Sequence, residues 1–382
     1  MSPVPGSVFR RILFWAHLAC GVAAGLLILL MSVTGVLLAY ERQIMESAAQ
    51  GNRLEAELAT PRLDADTLAG AAQSKLPEGA RITLVFEADP RQPVVGQAGR
   101  DASVLLNPYT GAVIDDAAQS ARGFFRVVED WHRWMGGDAR SGRATLMDVA
   151  NLLFLFIVAS GIYLWLPAVW RWRTLRGLML FQTRYINGKV RDFNWHHVFS
   201  FWMLIPLFLI ALSGVVISYP WASNLVYKAY GEEAPRRGGA QPPGGSGSAD
   251  SDASRVSLQA MLTIASGQVQ EWKRITIPAA APAGNVDITI ELPSRELRPP
   301  RQTLTLDGTG RVLKLTPPPS AASVTPGQRA RTWLRFVHTG EQYGLIGQTL
   351  AAIASLAACF LAYTGLALAW RRLIRPLFAR AS

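Results

Sequence analysis

The sequence predicts a membrane protein of one fold class: a four-transmembrane-helix bundle carrying two external α+β modules, arranged as an internal parallel duplication. Three observations predict it. The apolar residues gather into four long windows, the basic residues gather beside alternate ends of those windows, and a pattern of histidines and glycines occurs once in each half.

Half of the 382 residues are hydrophobic, and the mean hydropathy is positive, which is too apolar for a purely soluble enzyme. The windows Ile12–Tyr40, Leu146–Leu166, Val198–Tyr219 and Gly347–Trp370 each reach the roughly 20 residues that a hydrocarbon core requires. The first follows Arg10 and Arg11 as a signal peptide would. It is read as a retained helix, because the run is too long, lacks a clear Ala-x-Ala exit and carries His17.

The formal charge of +11 is distributed as a membrane protein distributes it, so nucleic acid is not an expected partner. Between the second and third windows lie Arg171, Arg173, Arg176, Arg184, Lys189 and Arg191 against the single acid Asp192, and the C-terminal tail adds Arg371, Arg372, Arg375 and Arg380. The positive-inside rule then puts both termini and the middle loop in the cytoplasm and the two long segments outside. Cys20 and Cys359 both fall in apolar windows, so neither a disulfide framework nor covalent haem attachment is expected.

The chain divides as follows: 1–42, first spanning helix; 43–120, first external module; 121–170, an interfacial helix and the second spanning helix; 171–195, a basic cytoplasmic loop. The second half repeats the plan: 196–220, third spanning helix; 221–325, second module; 326–371, an interfacial helix and the fourth spanning helix; 372–382, a cytoplasmic tail. Strand-like alternation marks Ile82–Glu87, Ser103–Leu106 and Ala112–Ile114 in one module and Val286–Leu292, Gln302–Leu306 and Arg311–Leu315 in the other. Helical stretches are expected near Asp64–Leu76 and Leu258–Gln270, and the Gly/Pro/Ser-rich run from Glu232 to Asp252 reads as a flexible loop.

The duplication is clearest in the windows themselves. His17 precedes Gly35 by eighteen residues, and His196 precedes Gly214 by the same number. The other windows follow aromatic and basic stretches containing His132 or His338, and they contain the pairs Ser160–Gly161 and Thr364–Gly365. Small residues at such pairs let helices approach closely.

Five histidines are present: His17, His132, His196, His197 and His338. His17 and His196 lie roughly 8–9 Å inward of the cytoplasmic charges at about 1.5 Å per residue, while His132 and His338 share the other face. An intramembrane histidine is a functional candidate by default, and its alternative is a neutral imidazole hydrogen-bonded to another helix. Four at repeat-related positions match the axial ligands of two bis-histidine b-type haems. His197 points about 100° from His196, and His196 is chosen because it shares the register of His17. Arg133, Arg143, Arg331 and Arg335 outside, or Lys189 and Arg191 inside, are placed to meet haem propionates or to anchor the interface. Glu129 lies three residues before His132 and reads as a surface charge, and no zinc or carboxylate-metal motif accompanies the histidines.

With His17-x3-Gly21…Thr34-Gly35, the turn Asn107-Pro108-Tyr109-Thr110-Gly111, Asn194-Trp195-His196-His197-Val198 and Trp333…His338-Thr339-Gly340, the chain resembles the PepSY-associated transmembrane family over nearly its whole length. Within that family it is most similar to inner-membrane siderophore reductases of the ferrioxamine type. The resemblance implies two periplasmic PepSY-like modules, haem ligands at His17, His196, His132 and His338, and reduction of a ferric hydroxamate siderophore. Ser200 and His197 depart from the glycine and arginine common in relatives, which leaves the two adjacent histidines harder to separate. The expected chemistry is stepwise electron transfer, from a quinol or a cytoplasmic reductase to the periplasmic substrate. The competing readings are a haem-free membrane regulator or scaffold and a siderophore permease.

Overall fold

The computed structural model describes residues 5–54, 61–99, 102–167, 170–235, 256–279, 285–294, 299–318 and 323–379. Most of the Gly/Pro/Ser-rich run expected to be a loop lies outside the described residues. In chain order the helices are α1 (Pro5–Leu38), α2 (Glu41–Ala49), α3 (Ala65–Gln73), α4 (Gln119–Trp134), α5 (Gly142–Trp165), α6 (Trp172–Met179) and α7 (Gly188–Trp202). They continue as α8 (Leu204–Ser218), α9 (Pro220–Lys228), α10 (Leu258–Gly267), α11 (Pro326–His338), α12 (Gly344–Leu373) and α13 (Arg375–Ala379). The strands are β1 (Ile82–Glu87), β2 (Val94–Ala98), β3 (Ala102–Leu106), β4 (Val113–Ile114), β5 (Arg274–Pro278), β6 (Val286–Glu291), β7 (Arg301–Leu306) and β8 (Val312–Thr316). Two compact units result: a helical one from residues 1–41, 123–234 and 326–382, and a sheet unit from 42–122 and 235–325.

Among the described residues of the helical unit three helices are long and apolar enough to cross a membrane, and a fourth span exists if the bent pair α7–α8 is counted as one. Neighbours close a ring: α1 packs on α5 and α12, α5 on α8, and α12 on α7 and α8. Small residues make the contacts close. Ala24 and Ala150 meet between α1 and α5, Ala354 and Ala358 pack against Leu207, and Gly25 leaves room for Leu366, which lies 2.9 Å from the position a Cβ would take. Large apolar side chains face outward instead, among them Leu26 and Ile205, more than two-thirds exposed. That is the arrangement expected of a bundle whose outer solvent is lipid.

The window Val198–Tyr219, expected as one helix, is broken. Helices α7 and α8 meet at Met203 with a bend of 72°. Pro206 supplies the cause, because it has no N–H for the carbonyl of Trp202 and its ring would collide with that carbonyl in a straight helix. A second sharp feature joins α11 to α12, where Gly340 has φ 76° and its missing side chain leaves room for the main chain of Gly347. Any Cβ there would overlap backbone.

In the sheet unit the strands of the two expected modules are joined. All eight strands form one antiparallel sheet in the order β4-β3-β2-β1-β5-β6-β7-β8. Its centre is the β1–β5 pair, with Thr83 opposite Pro278 and Glu87 opposite Arg274. Strands β2 and β5 escaped the sequence reading because the first is interrupted by Gly96 and the second is short and ends on Pro278. Each half alone would leave a row of unpaired backbone groups on β1 or β5, beside side chains as apolar as Leu84, Phe86, Ile275 and Ile277; joining the halves removes both edges. The buried side chains of β1 and β5 to β7 meet Leu68 and Ala72 of α3 and Met261 and Ala265 of α10 in a single core.

The two helices covering this sheet cap one another. Asp64 and Ser257 each accept from the backbone of their own first turns, at Thr67 and Ala260. The residue two positions on then reaches across: Asp66 accepts from the N–H groups of Leu258 and Gln259, while the Gln259 side chain accepts from the N–H of Ala65. Five orphan donors of two helix termini are thereby satisfied, three of them from across.

Replacing Asp66 with Ala removes two acceptors, so thermal unfolding of the sheet unit should show a loss of about 1 kcal/mol. Three aspartates of this unit are held below their ordinary value near 3.8: Asp64 by the N–H and hydroxyl of Thr67, Asp89 by Arg53, and Asp307 by the hydroxyl and backbone of its turn. Their folded values are depressed, so the stability they contribute is complete above the unfolded value and is lost as pH falls through the folded ones. Circular dichroism across an acid titration should hold level down to about pH 4 and fall below it.

Candidate functional site

Four of the five histidines share one local construction. His17 Nδ1 lies 2.9 Å from Ser160 Oγ, and His132 Nδ1 lies 2.8 Å from Thr34 Oγ1. His196 Nδ1 lies 3.0 Å from Thr364 Oγ1, and His338 Nδ1 lies 3.1 Å from Ser213 Oγ. Each bond joins two helices: α1 to α5, α4 to α1, α7 to α12 and α11 to α8. All four hydroxyls are buried.

The hydrogen-bond directions follow from what each oxygen already does. Ser160 Oγ donates to Ile157, Thr34 Oγ1 to Leu30, Thr364 Oγ1 to Phe360 and Ser213 Oγ to Leu209, all main-chain carbonyls of their own helices. With its proton committed there, each hydroxyl accepts from the imidazole. At His338 the same Nδ1 also lies 3.0 Å from the carbonyl of Ile210, three residues before the hydroxyl, and the backbone of Ile157, Met31 and Leu361 occupies the matching place beside His17, His132 and His196. A carbonyl only accepts, so Nδ1 carries the hydrogen and Nε2 keeps its lone pair.

The glycine after each hydroxyl completes the seat. A Cβ at Gly161 would lie 3.6 Å from the Cε1 of His17, one at Gly365 3.5 Å from that of His196, and one at Gly35 3.6 Å from that of His132. A methyl group would just touch the ring, and anything larger would push it. Gly214 differs, because the amide of Asn151 lies 2.7 Å from its Cβ position. Gly35 has a comparable polar neighbour in Ser355, 3.2 Å away. Asn151 stands nine residues before Ser160 and Ser355 nine before Thr364, so the two polar groups occupy matching positions.

The histidines fall at two levels. The rings of His132 and His338 have centroids 6.4 Å apart, inclined at 61°, and His17 and His196 are seated on Ser160 and Thr364 of α5 and α12. On α1 the seat for His132 at Thr34 is seventeen residues past His17, which separates the levels by about 25 Å along the axis. His197 stands beside His196, with ring centroids 6.4 Å apart, but on no hydroxyl seat: its Nδ1 bonds the carbonyl of Phe193, and its ring packs on that residue's ring at 4.1 Å.

The basic residues considered as counter-charges are engaged variously. Arg133 pairs with Glu129 at 2.8 Å and lies over the Trp134 ring, Arg335 lies over Phe336, and Arg331 donates to Ser223 at 2.7 Å. Lys189 and Arg143 sit in the first turns of α7 and α5, and Arg191 contacts Asp192. Asp192, completely buried one turn before His196, also pairs with Arg371 of α12. Asn194 is satisfied on both ends, accepting from the Gln182 backbone and Tyr185 and donating to the carbonyls of Gly177 and Leu180. It ties the basic segment to α7.

Two sets of residues escaped the sequence reading. In sequence Ser160 and Thr364 read as small residues for close packing, and Thr34 and Ser213 only as parts of the repeat; a hydroxyl standing before each of four repeat-related glycines is the signal that marks all four. Asp192 reads in sequence as the lone acid of a basic loop, and nothing in its neighbourhood of sequence points to Arg371. Among the described residues no cluster of three or more His, Cys, Asp or Glu is placed to hold a metal ion directly.

A helical unit with lipid-facing apolar spans, joined in one chain to an antiparallel sheet unit, defines a class of integral membrane protein. The sequence profile of the PepSY-associated TM region matches residues 14–372, and the chain belongs to that family. No curated protein matches it.

Replacing Arg371 with Ala would leave a buried carboxylate with only the half-exposed Arg191 as partner. Denaturant titration in detergent should register a loss of about 3 kcal/mol.

Proposed function

We propose that this chain is a di-haem reductase of the bacterial inner membrane that passes electrons across the bilayer to a ferric hydroxamate siderophore such as ferrioxamine. In this reading the chain is a parallel duplication of four spans, with both termini cytoplasmic and the sheet unit periplasmic. The observation that carries it is the fourfold repetition of one seat, in which a buried hydroxyl holds the Nδ1–H of an imidazole and leaves Nε2 as a base.

The donor set fits two b-type haems. Axial imidazoles ligate through a neutral ring nitrogen whose partner nitrogen is held by an acceptor. Two metal–nitrogen bonds of about 2 Å, together with two half-widths of an imidazole ring, sum to roughly 6 Å, and the His132 and His338 centroids are 6.4 Å apart. His17 and His196 would hold the cytoplasmic haem, and His132 and His338 the periplasmic one. His197 lacks the seat and is left out of the ligand set. Bound there, haem supplies reversible one-electron transfer.

The protein's part is to orient the imidazoles, to exclude water with the alanine- and leucine-rich helix contacts, and to present the sheet unit to the substrate. A ferric hydroxamate surrenders its iron on reduction, because hard oxygen ligands hold Fe(II) far less firmly. The electron donor is a quinol or a cytoplasmic reductase, met at the basic end. A haem-free scaffold is the competing reading, and the exposed Val312, Leu313 and Leu315 of edge strand β8 speak for it as a strand-pairing surface.

Purified protein should show a dithionite-reducible Soret band and, by pyridine haemochrome, two haems per chain. His17→Ala, His196→Ala, His132→Ala and His338→Ala should each reduce that count to about one, whereas His197→Ala should keep two. A colourless protein would favour the scaffold, and an unchanged count in all four ligand variants would sink the pairing.

A further inference from the structure

We propose that Ser160, Thr34, Thr364 and Ser213 are positioning residues that set the reduction potential of the site by controlling the basicity and orientation of the imidazole each one holds. The inference rests on the haem-binding reading above and goes beyond it, since it concerns groups that touch neither iron nor substrate.

Each imidazole Nδ1–H is met by a hydroxyl with a helix carbonyl three residues earlier beside it, 3.0 Å away at His338, so its hydrogen is drawn toward oxygen. Partial withdrawal of that hydrogen gives the ring imidazolate character and makes Nε2 a stronger donor. A stronger donor favours ferric over ferrous iron and lowers the potential. The hydroxyl is the adjustable member of the pair, because the carbonyl belongs to the helix and no substitution removes it. It also fixes the ring plane: without it, the ring of His17, His132 or His196 can turn about the Cβ–Cγ bond toward the adjacent glycine, which carries no Cβ to stop it.

The arrangement separates the two levels genetically. Thr364 and Ser160 act only on His196 and His17, and Thr34 and Ser213 only on His132 and His338. Thr→Val keeps the shape and removes the acceptor, and Thr→Ser restores the acceptor without the methyl.

The test is potentiometric titration of the full-length protein in detergent, followed through the α-band, with low-spin ferric EPR to tell the two sites apart. Thr364→Val should move one of the two waves to more positive potential and alter one EPR signal, leaving the other wave in place. Thr34→Val should move the other wave, and Thr364→Ser and Thr34→Ser should return both to wild-type positions. If a Val variant loses one haem, its recovery in the Ser variant supports the inference and its continued loss overturns it. Haem-replete Val variants with unmoved waves and unchanged EPR would overturn it while leaving the haem reading intact; a colourless wild type would overturn both.

Discussion

An imidazole inside a hydrocarbon layer must have its N–H met by an acceptor, and that requirement organises the helical unit. Four histidines meet it in one way, on a hydroxyl of a neighbouring helix that is itself bound to its own backbone. Interhelical hydrogen bonds in membranes are worth about 0.6 kcal/mol on average, so these four do little for gross stability. Their effect is on register. A helix sliding by one residue along its neighbour would strand an N–H among alanines and leucines, and four such bonds on different helix pairs close off independent slips.

The sheet unit solves the corresponding problem with a different device. Two small β-units, each too thin to bury both its helix and its inner strand, share one core by pairing β1 with β5. The covering helices then satisfy each other's first-turn donors through Asp66 and Gln259. Backbone hydrogen bonds join the halves at the sheet, and side-chain caps join them above it.

Near the basic end, electrostatics and geometry converge on α7. Asp192 and Asn194 are both buried, within one turn of His196, and both are fully paired, one with arginines and the other with a carbonyl cage. Asp192–Arg371 and His196–Thr364 are two rungs between the same helices, α7 and α12. The break at Pro206 falls just beyond them, so the segment carrying His196 is held by polar contacts on one side while α8 turns away to pack by apolar ones.

Local pattern alone determined that this chain has long apolar spans, where six of its eight described strands alternate, and that four histidines stand at repeat-related positions, because hydropathy and spacing are properties of consecutive residues. It also separated His196 from His197 by counting to Gly214. What only the tertiary structure decided was partnership. Thr34 lies in the same span as His17, yet it holds His132, and Ser213 holds not His196 but His338; each hydroxyl serves a histidine brought by another helix. The single sheet was equally out of reach, since β1 and β5 are nearly two hundred residues apart and neither strand says which edge it will meet. Contacts between distant segments depend on how helices and sheets pack in three dimensions, and that packing leaves no mark in the spacing of neighbours along the chain.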